Sequence, residues 1–213
     1  CDGRLGLTLT AAYLTAWERA AEDLPGGPAS ACASAVIVKT HYPFARAYKL
    51  GEKMCTKLKD GLRAKGAANF SAMDWHFSLS SISGSIKEIR TREYRSDSDD
   101  SLVMRPVTLA PQPGTIFDEP WQHWQAFERV PWELNYGPAW RERRNKVKAL
   151  RTPLRQGAQA TERFRLAYRL PPLPTLDSGE PALQRQGWAK NRCGYFDAIE
   201  AIDPGFATGP NGT

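Results

Sequence analysis

An α/β or α+β fold is what this sequence predicts, and three adjacent segments carry the prediction. Ala33-Ser34-Ala35-Val36-Ile37-Val38 is a short apolar run rich in β-branched residues, the pattern of a strand buried on both faces. Phe44, Ala47, Leu50, Met54, Leu58 and Leu62 then recur at helical spacing, so one face of a long helix is apolar. Met73, Trp75, Phe77 and Leu79 alternate with Ala72, Asp74, His76 and Ser78, which predicts a half-buried strand with two ionisable groups on one face. Strand, crossover helix and strand form the unit around which the chain is organised.

The remaining elements follow in order. Leu9, Ala12, Tyr13, Ala16, Trp17, Ala20 and Leu24 share one face of a first helix, with Thr8 or Thr10 as N-cap. Pro25-Gly26-Gly27-Pro28 ends it. Pro43 suits the first turn of the long helix, where its missing N–H costs nothing. Gly66 and Asn69 break that helix before the second strand. Ser85-Ile86-Lys87-Glu88 has the form of a capping box, and Ile82, Ile86 and Ile89 give a short helix ending near Tyr94 its apolar stripe. Ser96 to Asp100 reads as a solvated turn. Leu102 to Leu109 reads as a strand, and Pro106 places it at an edge or bulge.

Composition changes after Ala110, where Pro111-Gln112-Pro113-Gly114 reads as a linker. The expected division is therefore a first domain over 1–110 and a mainly helical extension over 115–213. Asp118 caps a helix beginning near Glu119-Pro120, with Trp121, Trp124 and Phe127 inward. A helix from Pro138 puts Trp140, Val147 and Leu150 on one side and Arg141, Arg143, Arg144, Lys146, Lys148 and Arg151 on the other. Pro153 breaks it before a further helix through Phe164 and Tyr168. Leu170 to Gln186 is rich in proline and shows no element. Tyr195 to Ile202 is apolar, and its length leaves strand and helix both open. Pro204 to Thr213 reads as a frayed tail.

Length and charge bound the function. A chain of 213 residues suffices for one core, or one core with an appendage. A net charge of +6 permits a polyanionic partner such as nucleotide or RNA, and equally a merely basic soluble protein. Cys1, Cys32, Cys55 and Cys193 form no C-x-x-C pair; Cys32 and Cys55 read as small buried hydrophobes in a reducing compartment. No apolar run approaches the roughly 20 residues of a membrane span, so a cytoplasmic protein without a membrane partner is expected. The chain opens on Cys1-Asp2-Gly3 without an initiator Met, which predicts a fragment whose upstream part is missing. There is no Gly-rich phosphate loop, Gly-x-Ser-x-Gly elbow, Cys/His zinc pattern or acidic pair at a strand turn. No complete catalytic centre is legible.

Four groups of residues have chemical potential. Asp74 and His76 share a face two residues apart and offer two ligands or a shared proton; a hydrogen-bonded pair at a sheet edge or under a loop is the plain alternative. Lys39 and His41 emerge at the C-terminal end of the apolar strand, before a helix start, where α/β sheets gather functional groups and a phosphate fits. Lys57 and Lys59, with Lys53, Arg63 and Lys65, form a basic stripe late in the long helix. Arg141 to Arg155, including Arg143, Arg144 and Lys148, offers a face for an RNA backbone or a solvated helix.

The run Ser30 to Phe44, with its His41-Tyr42-Pro43 segment, the helix carrying Ala47, Leu50 and Lys59, and Met73-Asp74-Trp75-His76 together resemble one family. They are similar to the second palm domain of the large polymerase/cyclase subunit of type III CRISPR effector complexes, a distant relative of GGDEF cyclase domains. The likeness covers roughly Cys1 to Leu109; Ser34 stands where the family strand has a small Gly, and Cys32 where it has Ser. It implies an α+β fold: an incomplete ferredoxin-like palm sheet with helices on one face, followed by the helical extension. It also implies nucleoside triphosphate binding, with Lys59 neutralising phosphate, Lys39 and His41 assisting, and Asp74 and His76 shaping the pocket. ATP with Mg or Mn, RNA and other CRISPR effector subunits are the implied partners. The family's Gly-Gly-Asp-Asp hairpin, which holds the metal, would lie upstream of Cys1, so this chain alone is expected to be inactive. A non-catalytic scaffold or RNA-binding subunit is the rival reading.

Overall fold

The computed structural model describes residues 2–25, 29–78, 84–112, 116–176 and 180–203. They fall into two compact units interleaved along the chain: Cys1–Ile86 with Arg105–Gln125, and Lys87–Met104 with Ala126–Thr213. The boundary expected near residue 110 therefore lies inside the first unit. The breaker Gly26-Gly27-Pro28, Leu79, Ile82, Pro113-Gly114 and the tail from Pro204 lie outside the described residues. No described helix is long and apolar enough to cross a membrane.

The first unit has a three-stranded mixed sheet in the order β1-β2-β3. β1 (Cys32–Val38) runs parallel to β2 (Ala72–Ser78), and β3 (Val107–Thr108) pairs antiparallel with β2. Parallel neighbours need a crossover, and α2 (Phe44–Ala64) supplies it. Its inward face is Ala47, Leu50, Met54, Leu58 and Leu62, the predicted stripe, except that Phe44 is 80% exposed. The register sets Ser34 beside Asp74, Val36 beside His76 and Ile37 beside Phe77. Strand alternation then places Ser34, Val36, Asp74 and His76 on one face, with Ala35, Ile37, Trp75 and Phe77 on the other.

Helices cover both faces of this pair, not one. Ser34 Oγ donates to the Gly51 carbonyl of α2 at 2.7 Å. A Cβ added at Gly6, the first residue of α1 (Gly6–Ala21), would meet Ile37 at 3.8 Å. Ser34 and Ile37 point to opposite faces, so α2 and the start of α1 do too. On the α2 side the drive is the helix's own apolar stripe, where Leu50 and Met54 pack with Val36; on the other it is the strand residues Ile37, Trp75 and Phe77.

Centre and edge are the reverse of what the pattern suggested. β1, expected to be buried on both faces, lies at the sheet edge, and only Ile37 in it is fully buried. β2, expected to be half-buried, is central and buried throughout Ala72–Phe77, Asp74 and His76 included. α1 is turned over as well. Leu7, Ala11, Leu14 and Ala21 are its inward residues, while Leu9 (50%), Tyr13 (61%) and Trp17 (39%) are exposed. β3 is shorter than the expected Leu102–Leu109 strand and follows the cis Arg105–Pro106 peptide.

α3 (Ile86–Glu93) and α4 (Trp124–Tyr136) begin in the first unit and continue in the second. α4 starts later than expected, though Trp121, Trp124 and Phe127 are all buried. In the second unit the helix expected from Pro138 is divided into α5 (Arg144–Ala149) and α6 (Arg151–Gln156). Pro153 does not end a helix: it sits in the first turn of α6, where its missing N–H has no helical partner to lose. α7 (Ala158–Ala167) follows. The proline-rich stretch contains α8 (Pro181–Gln186), then a hairpin of β4 (Trp188–Ala189) and β5 (Arg192–Cys193). The last apolar segment is α9 (Phe196–Ile202), buried except for its partly exposed Glu200.

Candidate functional site

Placement of the candidate residues follows from the antiparallel return of α2 over β1. Lys39 and His41 are exposed on the turn after β1, which closes where the Tyr42 N–H donates to the Lys39 carbonyl at 2.9 Å. Lys59, near the other end of α2, stands at the start of β1 beside Cys32. Cys32 and Lys39 are seven strand rises apart, about 23 Å. The two ends of the unit therefore cannot share one small ligand, and Lys59 does not join Lys39 and His41 in a pocket.

Asp74 and His76 join neither end. They lie mid-strand beneath α2, and the Trp75 N–H donates to Asp74 Oδ1 at 2.8 Å. Lys39, His41, Asp74 and His76 therefore do not line one pocket: the first two face solvent and the last two belong to the core. A central strand has no solvent-facing side once both its faces are covered.

Beside the first half of α2, from the turn after β1 down to Lys53, there is instead a cavity of about 310 Å³ that sequence periodicity did not reveal. Tyr42, Arg46, Lys49 and Lys53 line it from one side, and Gly84 to Ile86 from the other. Positions 46, 49 and 53 fall on one flank of α2, beside the apolar stripe. No acidic residue is among the described lining, and none of the three cations has an ion pair among the described residues. The i, i+3, i+7 spacing of the basic residues was the available signal. It was hidden because basic side chains occur all round the exposed part of this helix.

A second cavity, about 370 Å³, lies at the start of β1, where Lys59 and Arg63 face Ser30 to Cys32. Burial raises the Cys32 thiol pKa, reinforced by Cys55, while Lys59 and Arg63 pull it the other way. Cys55 Sγ donates to the Cys32 carbonyl at 3.4 Å.

The basic segment of the second unit is largely engaged within the protein. Lys148 and Arg151 both pair with Asp203, at 3.1 and 2.6 Å. Lys146 lies 3.5 Å from the centre of the Tyr168 ring, and Arg155 donates to the Glu93 carbonyl at 2.7 Å. Self-repulsion among these cations is thus relieved by tertiary partners that sequence spacing cannot reveal. Arg141 and Arg144 remain exposed, and Arg143 is half-buried at the start of α5. Among the described residues no three His, Cys, Asp or Glu side chains converge as a metal site.

Comparison with protein-family models and with curated proteins finds no match for this chain.

Proposed function

We propose that the first unit binds a phosphate-bearing ligand in the cleft between α2 and Gly84–Ile86, a nucleoside triphosphate being the class the sequence resemblance implies. What supports this reading is the set Arg46, Lys49 and Lys53 around one cavity without a carboxylate in its described lining. Its Tyr42 end adjoins the turn that leaves β1, the end of a parallel strand where α/β sheets gather ligands. Lys39 and His41 stand at the same end and would reach a ligand that extends beyond the cleft.

On this reading the β1–α2–β2 unit is part of a ferredoxin-like palm. Mg or Mn would arrive with the triphosphate and be held by carboxylates from outside this chain, so that the chain binds without turnover. Assembly with other effector subunits belongs to the same reading.

Calorimetric titration of the 213-residue chain with ATP tests the site. Lys49→Ala and Arg46→Ala should each weaken binding about tenfold, the loss of one charge-assisted contact. Lys59→Ala should leave binding unchanged. If Lys59→Ala removes binding and Lys49→Ala does not, the ligand sits at the opposite end of the unit and the proposed cleft is wrong. Oligonucleotide product from ATP and Mn would overturn binding without turnover.

A further inference from the structure

We propose that β1 is an interface with a second copy of this chain, the two strands pairing antiparallel about a two-fold axis through Ala35. β1 is the terminal strand of its sheet, and no described strand occupies its outer side. Its seven residues, Cys-Ala-Ser-Ala-Val-Ile-Val, include no charge and no proline, and it pairs with β2 residue for residue without a bulge. Edges that stay single are blunted by such devices, and this one is not.

The strand is also complementary to itself. Its first half is small and its second half is large. Antiparallel pairing centred on Ala35 sets Ala33 opposite Ile37, Cys32 opposite Val38 and Ser34 opposite Val36, so each bulky residue meets a smaller one. Lys39 falls opposite Ala31, which brings no like charges together. In-register parallel pairing loses this match, and an axis through Ala35 is the one that pairs all seven residues of β1.

Size decides what else must take part. A ladder about 23 Å long and about 10 Å deep buries roughly 460 Å² over both copies. That is below the roughly 1,000 Å² of a specific interface. The two helices packed on β1 provide further apolar surface: Leu9, Tyr13 and Trp17 on α1, and Phe44 with Tyr48 on α2, are all exposed. Closed isologous pairing would join the two sheets into one and leave neither β1 edge open.

Sedimentation velocity on the full chain over a concentration series should show a monomer–dimer equilibrium. Ala35→Lys sets two ammonium groups opposite each other and should abolish the dimer, with the far-ultraviolet circular dichroism retained. Ala35→Cys is the second variant, since antiparallel partners lie within disulfide reach. Mild oxidation should link the two introduced thiols, identified by peptide mass spectrometry. A monomer at every concentration, a dimer indifferent to Ala35→Lys, or absence of that cross-link overturns the proposal. A monomer that instead captures an added strand at this edge would assign the surface to another partner and equally overturn it.

Discussion

Buried polar residues hold the second unit together through directional hydrogen bonds. Arg165 is the clearest case. Its guanidinium donates to three carbonyls, those of Arg185 (2.7 Å), Leu170 (3.0 Å) and Pro171 (2.6 Å), and so fastens a stretch with little regular structure. Burial lowers its pKa, the sense expected when a cation leaves water. Tyr195 adds a hydroxyl that donates to the Pro174 carbonyl at 2.5 Å. Arg165→Met should destabilise the protein by about 2–4 kcal/mol, since the carbonyls lose a charged donor while remaining covered. Urea unfolding checks this; a loss below about 0.5 kcal/mol would mean water replaces the donor. Cys193 makes a second prediction. Burial raises its thiol pKa from 9.0 to about 12. Because the folded pKa is the higher one, this contribution is complete below pH 9 and declines as the unfolded thiol ionises towards pH 12. The decline is at most about 1.4 kcal/mol per pH unit. Cys193→Ala should flatten the stability curve just above pH 9, as read from urea midpoints on either side of that value.

Elements were more legible than their orientation. The helical period of α2 identified its buried face at Ala47, Leu50, Met54, Leu58 and Leu62, because polar residues surround that stripe and leave one solution. α1 is different: it is apolar on two sides, and sequence periodicity cannot rank two stripes of similar strength. The sheet chose the side with Leu7, Ala11 and Leu14 and left Tyr13 outside. Leu14→Ala should therefore cost about 2–5 kcal/mol and Tyr13→Ala less than about 0.5 kcal/mol in urea unfolding of the monomer. Equal losses would mean that both faces are packed. The strands follow the same logic. Alternation placed Asp74 and His76 on one side of β2, and the register agrees, yet alternation could not show that α2 covers that side.

For the whole molecule the chain order misleads about what folds with what. Segment 105–125 belongs to the first unit, where Ile116 and Phe117 pack against the cluster of Leu58, Leu62, Ala67 and Ala72. Segment 87–104 belongs to the second unit, where the Met104 N–H donates to buried Asp197 at 2.8 Å. A cut at residue 110, the place where composition changes, should therefore produce two pieces that each lack part of a core. Residues 1–110 expressed alone should show no cooperative thermal transition, whereas a sharp calorimetric peak would show that 1–110 is self-sufficient.

By itself the sequence determined the strand–helix–strand unit, the inward face of α2, and the helical character of much of the region after residue 118. Those follow from local periodicity and turn chemistry, which act over a few residues. Only the tertiary structure decided which strand is central, which face of α1 is buried, that Asp74 and His76 are interior, and that Lys59 and Lys39 stand at opposite ends of one strand. It also brought Arg46, Lys49 and Lys53 to a common cleft with Gly84–Ile86, and it paired Lys148 and Arg151 with Asp203. The physical reason is common to all of them. Burial and charge pairing depend on which surfaces meet across long sequence separations, and a side-chain pattern records what each surface can tolerate without recording its partner.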